Sequence, residues 1–146
     1  MRCTAVLGLA IACAGGTTVT EQLVPARSLA PCPNRPNCVS SCAADAAHRV
    51  EPLLLRVPAE RAWTQLRDAV ASLPRARIVE SGEGHLRAQV TSRLFRFVDD
   101  LELLLVPGTA RIEVRSASRV GYSDLGANRA RVEALRAALR RDGVVE

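Results

Sequence analysis

Lysine is absent from this chain, whose 20 basic residues are all arginine. Aromatic residues make up only 3% of it, too few for the platform on which a single-strand binder stacks bases. A net charge of +5 would suit a polyanion, but the arginines are interleaved with acids and are not gathered into one stripe. Nucleic acid is therefore excluded as a partner, and weak attraction to an anionic membrane surface is what the charge leaves open. Arginine makes forked ion pairs with carboxylate and phosphate better than lysine does, although a GC-rich genome would give the same bias without functional meaning. Long apolar runs are missing too, since no segment reaches the ~20 residues of a membrane-spanning helix. What the chain does have is 146 residues and 48% hydrophobic content, enough for the core of one domain and too much for general disorder.

The N-terminus has the layout of a secretory signal. Met1-Arg2-Cys3 is a minimal positive start, Ala5 to Ala12 is a short apolar run, and Cys13 is followed by Ala14-Gly15-Gly16. Ala10-Ile11-Ala12-Cys13 resembles a bacterial lipobox, in which the cysteine becomes the lipidated first residue. Cleavage after Ala14, at the A-x-A formed by Ala12 and Ala14, is the competing, soluble outcome. The expectation is an exported protein of the cell envelope, held to the membrane through lipid on Cys13 or free in the periplasm.

Export governs how Cys32, Cys38 and Cys42 read. In an oxidising compartment two nearby cysteines form a disulfide by default. Their spacing lacks the paired C-x-x-C of a zinc site. Cys32 to Cys38 closes a short loop turned by Pro33 and Pro36, which would leave Cys42 as the odd thiol.

The organisation expected is a signal or lipobox segment over 1–13, a flexible tether over 14–30, one domain over 31–141 and a short tail over 142–146. Pro31 to Ser41 reads as a pinned loop, and Val50 to Val57 as a strand. Pro58 then suits a first helical turn. Ala62, Leu66, Ala69, Val70 and Leu73 follow at helical spacing, with Trp63 as a core anchor at the edge of the stripe and Pro74 as the stop. Four strands come next, at Ala76–Glu80, His85–Thr91, Phe97–Val106 and Ala110–Ser116, with glycine-bearing turns at Ser81-Gly82-Glu83-Gly84 and Pro107-Gly108. Asn128 to Arg141 closes the chain as an amphipathic helix. Val132, Leu135, Ala138 and Leu139 face its core side; Arg129, Glu133, Arg136 and Arg140 face water. The fold class is α+β: an antiparallel sheet of about five strands in the order β-α-β-β-β-β-α, with a long C-terminal helix across one face.

Three separated motifs carry a resemblance. They are Cys32-Pro33-Asn34-Arg35-Pro36-Asn37-Cys38-Val39-Ser40-Ser41, Phe97-Val98-Asp99-Asp100-Leu101-Glu102, and the run from Arg115 through Gly121-Tyr122-Ser123-Asp124-Leu125-Gly126 to Arg129. Together they resemble the domain-of-unknown-function 1499 family, over about residues 30–141. The resemblance assigns no activity, and no cofactor is expected. It implies a small bacterial envelope protein or lipoprotein, with Cys32 and Cys38 on the family pattern. Cys42 departs from that pattern, where glutamine is more usual, so a family disulfide would leave it free.

Strand alternation sorts the motif's charges onto faces. Asp100, Glu102 and Leu104 share one face, and Asp99, Leu101, Leu103 and Leu105 the other. On the following strand Arg111, Glu113, Arg115 and Arg119 oppose Ile112, Val114, Ser116 and Ser118. This sets Asp100 and Glu102 beside Arg115, with Asp99, Ser116 and Ser118 at the core-side rim. The functional expectation is a polar ligand site where the last strand meets the last helix, built from Asp99, Arg115, Ser118, Arg119, Ser123, Asp124, Asn128 and Arg129. Arginines and free N–H groups at a helix start suit a small anion. The competing expectation is structural: cross-strand ion pairs, a cap from Asp124 or Ser123, and an Arg129–Glu133 pair.

Enzyme chemistry finds less support. Asp99 and Asp100 point to opposite strand faces and cannot readily share a metal, and no metal site is expected. Gly121-Tyr122-Ser123-Asp124-Leu125-Gly126 is not a G-x-S-x-G nucleophile turn. His48 and His85 stand alone, and Cys42 has no nameable base. The reading is a small-ligand or partner-binding envelope module. Its alternative is a metal-dependent or hydrolase-like enzyme on Asp99 and the Arg115–Arg119 segment. A curved sheet gripped by a helix could also enclose an apolar cavity, but fold analogy alone assigns no function.

Overall fold

The computed structural model describes residues 27–146. The expected leader, the expected lipidation at Cys13 and the part of the expected tether up to residue 26 lie outside the described residues.

Antiparallel pairing follows from short turns. Strands β3 (Ala76–Gly82) and β4 (His85–Thr91) are joined by Glu83-Gly84, where Gly84 supplies the positive φ of +70° that a tight hairpin requires. Strands β5 (Val98–Leu105) and β6 (Arg111–Ser118) complete the large strands. Two short ones, β1 (Cys38–Ser40) and β2 (Leu53–Leu54), both pair with β6, giving a six-stranded sheet in the order β1-β6-β5-β4-β3 with β2 also on β6. The sheet thus has one strand more than the sequence suggests. The extra strand is β1, inside the segment read as a loop, and the strand expected over Val50–Val57 shrinks to two residues. β6 explains both: its second half takes Cys38, Val39 and Ser40, and its first half takes Leu53 and Leu54. Two fragments share one edge, and the chain between them bulges out as a connection.

Helices α1 (Ala59–Ala71) and α2 (Ala127–Arg141) cover one face. Ala62, Leu66 and Val70 of α1 and Val132, Leu135 and Leu139 of α2 are buried. They meet Leu86, Ala88, Leu101, Leu103, Ile112 and Val114 from the sheet in one cluster. Side chains fill this interface, as in any close-packed core. Trp63 is only half-buried, leaning on the cluster and not anchoring it.

Two features of α2 correct the sequence reading. Arg136 faces inward at 5% exposure, because carbonyl oxygens of Glu51 and Pro52 accept its guanidinium N–H groups. Glu133 pairs with Arg136 at 3.0 Å and not with Arg129. Beyond α2, Gly143 at φ +70° terminates the helix, with Val144 N–H donating to the carbonyl of Leu139. The residues read as a tail return to the core: Val144 and Val145 are buried, and Val145 bridges to Leu55.

Candidate functional site

The site grows from Asn128, in the first turn of α2 and fully buried. Its Nδ2 donates to Asp124 Oδ2 at 2.7 Å, Ser118 Oγ at 3.0 Å and the Asn37 carbonyl at 3.1 Å. Its Oδ1 accepts from Ser116 Oγ and from Arg131, each at 2.6 Å. Arg131 extends the network by donating to Ser116 Oγ at 3.0 Å and to Asp99 Oδ2 at 2.7 Å. Asp99 is 4% exposed, so this ion pair is largely withdrawn from water and depends on its geometry.

Asp124 also shapes the approach to α2. Its Oδ1 accepts from Gly126 N–H at 2.9 Å and its Oδ2 from Asn128 N–H at 2.8 Å. The residue at the helix start, Gly126, has no side chain to cap with and sits at φ +81°; Asp124 supplies the cap from two positions earlier. Ser123 Oγ instead accepts from Leu125 N–H at 3.2 Å. Asn37 ties the far side, its Nδ2 donating to the Gly121 carbonyl at 2.8 Å and its carbonyl accepting from Ser118 N–H at 2.9 Å. Asn37 immediately precedes Cys38, which is joined to Cys32.

Of the eight residues expected to converge, Asp99, Ser118, Asp124 and Asn128 do so, with Ser123 on the adjoining loop. Arg115 and Arg119 do not: they occupy the opposite sheet face. There Arg115 donates to Glu102 at 3.0 Å, and Arg119 grips both oxygens of Asp100 at 2.7 and 2.8 Å. The Asp100 carboxylate, by hydrogen bond and charge, stabilises the Arg119 cation further. Arg129 is also engaged elsewhere, donating to the carbonyls of Arg49 and Ala47 at 2.8 and 2.9 Å. Arg129 and Arg136 together staple the chain between β1 and β2 onto α2.

Three members of the network were missed: Asn37, Ser116 as more than a rim residue, and Arg131. Arg131 had a signal, because Asn128, Arg131 and Leu135 continue the buried stripe of α2 at helical spacing.

Chemically, the network is almost saturated: of its buried side-chain polar atoms, only Asn37 Oδ1 lacks a described partner. Ser116 and Ser118 hydroxyls meet an amide and a guanidinium, with no base to deprotonate them. A shallow cleft of about 190 Å³ beside it is lined by Pro36, Val39, Ser123, Asp124 and Arg129 among others. The Asp124 carboxylate already answers the positive end of α2, which disfavours a second anion there. Among the described residues, no three His, Cys, Asp or Glu side chains stand close enough to share a metal ion. A second polar pair lies across the sheet, where Ser41 Oγ donates to Glu113 in a very short contact and Arg111 donates to Glu113 at 2.6 Å. Burial would raise the Glu113 carboxyl, but these two donors outweigh it and hold it below its ordinary value.

This geometry defines a class: an α+β domain whose motif residues suture a loop and a helix to a sheet end. Residues 28–139 match the family described as a protein of unknown function, DUF1499, and the chain belongs to that family. No curated protein and no solved structure matches it.

Proposed function

We propose that this protein is an exported, non-enzymatic binding module, tethered to the envelope membrane through Cys13, whose contact surface is the loop-bearing end of the sheet. One contrast carries the reading. The polar motif is spent almost wholly on internal bonds, while the loops it positions turn apolar residues outward. Phe95, Phe97 and Tyr122 are 69%, 46% and 72% exposed, and they are three of the chain's four aromatic residues. Exposed apolar groups gathered at one place mark interaction surfaces. The motif supports this as scaffold: Asn37, Asp124 and Asn128 fix the loop that carries Val120, Tyr122 and Leu125. The lipobox-like segment and the family resemblance support export and tethering.

The test is photo-crosslinking in the protein's own cells, with a benzophenone amino acid at position 95, 122 or, as a control at the opposite sheet end, 54. Discrete adducts, protein or lipid, from 95 and 122 but not from 54 are expected. Equal labelling at all three positions, or none, would refute the contact surface.

A further inference from the structure

Two loops leave the same end of the sheet on neighbouring strands. The β4–β5 loop carries Arg93-Leu94-Phe95-Arg96-Phe97, and the β6–α2 loop carries Val120, Tyr122 and Leu125. Arg119 N–H donates to the Val98 carbonyl at 3.1 Å, which holds their bases side by side. Leu94, Phe95 and Leu125 are 80%, 69% and 96% exposed. The Phe95 and Phe97 rings stack at 5.5 Å, so two aromatics form one apolar tip. Of the exposed large hydrophobic residues described, only Leu54 lies elsewhere, at the β5–β6 end.

Charge on and beside these two loops is one-sided. The acids there are consumed: Asp99 by Arg131, Asp100 by Arg119, and Asp124 by the start of α2. Arg75, Arg93 and Arg96 have no described carboxylate within ion-pair distance. The backbone is strained here as well. The non-glycine residues with left-handed φ among those described are Arg75 at 58°, Arg96 at 55° and Leu125 at 54°, all at this end. Such conformations persist where the surroundings impose them, and they concentrate at functional sites.

We infer that this sheet end docks onto an anionic lipid surface, with Leu94, Phe95, Phe97, Tyr122 and Leu125 entering the interface and Arg93 and Arg96 meeting headgroup phosphates. The inference rests on the proposed contact surface and names its occupant. Aromatic and leucine side chains flanked by arginine suit the headgroup level, where the rings sit at the apolar boundary and the guanidinium finds phosphate. Separate protruding tips would leave gaps against a rigid protein face, whereas lipid flows around them.

The experiment uses the full chain carrying Trp63→Phe together with Phe95→Trp, so that the single indole reports on the loop. Vesicles of phosphatidylglycerol and phosphatidylethanolamine with brominated acyl chains should quench and blue-shift its emission. The same background with Leu54→Trp in place of Phe95→Trp should stay unquenched, even when the N-terminal segment anchors the chain. Adding Arg93→Gln and Arg96→Gln should raise the lipid concentration at half-quenching roughly 25-fold, from the usual attraction of two arginines to an anionic surface. Salt should act in the same direction. No quenching at 95 in vesicle-bound protein, equal quenching at 54, or indifference to the arginines would each overturn the inference. Melting curves matching the parent's certify the variants. If Trp63→Phe unfolds the chain, the mass of the adduct from a benzophenone residue at position 122 decides. A lipid adduct supports docking; a protein adduct overturns it and leaves the contact surface standing; no adduct removes both.

Discussion

One oxygen of Asp124, Oδ2, accepts two hydrogen bonds from Asn128, from the backbone N–H at 2.8 Å and from Nδ2 at 2.7 Å. The first fixes where α2 begins, and the second fixes the side chain that bonds Ser118 and the Asn37 carbonyl. Helix start, loop and sheet end are therefore set by one residue pair.

Asn128→Ala should be among the costliest single changes in the domain. It leaves the buried Ser116 hydroxyl and one Arg131 N–H short of a partner, and unpaired buried polar groups cost about 1–3 kcal/mol each. A loss of roughly 3 kcal/mol in denaturant unfolding is expected. Asn128→Asp should do no better, because its carboxylate would face Asp124.

Asp99 and Arg131 form a nearly buried ion pair, with side chains 6% and 11% exposed. Breaking such a pair costs about 3–5 kcal/mol through the charge left behind, more than the pair itself contributes. Asp99→Asn and Arg131→Met should each destabilise strongly. The double variant should be less impaired than the two losses added together. Additive losses in a double-mutant cycle would show that the two groups act independently.

Much of this was legible from alternation along residues 98–105, since a strand has period 2 and Leu101 and Leu103 mark its buried face. Asp99 must share that face, and Asp100 and Glu102 the other. The same alternation separates Arg115 and Arg119 from Asp99, and they pair with Glu102 and Asp100 on the opposite face although Ser116 and Ser118 lie next to them in sequence. Arg136 was illegible for another reason: a helical stripe assigns charge to water, and nothing local reveals carbonyls waiting 84 or 85 residues away in the chain. Asn37 carries no signal beyond its motif, because its work is done by its backbone carbonyl as much as by its amide.

Stability should depend on pH through His48. The Arg35 carbonyl, accepting at 2.9 Å, and then the Asp45 carboxylate at 2.7 Å raise its value above the ordinary one. Protonated His48 therefore favours the fold. Its contribution is complete below the unfolded imidazole value of about 6.5 and disappears as pH rises through the raised folded value. The melting-temperature gap between the parent and His48→Gln should be widest at mildly acidic pH and close on the alkaline side. A gap that grows with pH would contradict the pairing.

Cys42 should be a sluggish thiol. Burial first, and the Glu113 carboxylate next, push its value up, and only the thiolate reacts. Alkylation at neutral pH, read on the Cys42 peptide by mass spectrometry, should be slower in folded than in unfolded protein. Glu113→Gln should speed it. An unchanged rate in that variant would remove the carboxylate as the cause.

Leu125 holds a left-handed backbone at φ 54° while its side chain, 96% exposed, gains nothing from burial to offset that strain. Glycine there would relieve about 1 kcal/mol of backbone strain without giving up any buried contact. Any campaign that selects this protein for heat resistance would reach that substitution early. Thermal robustness and surface activity would then part company at a single codon, and the hardiest variant would be a blunted one.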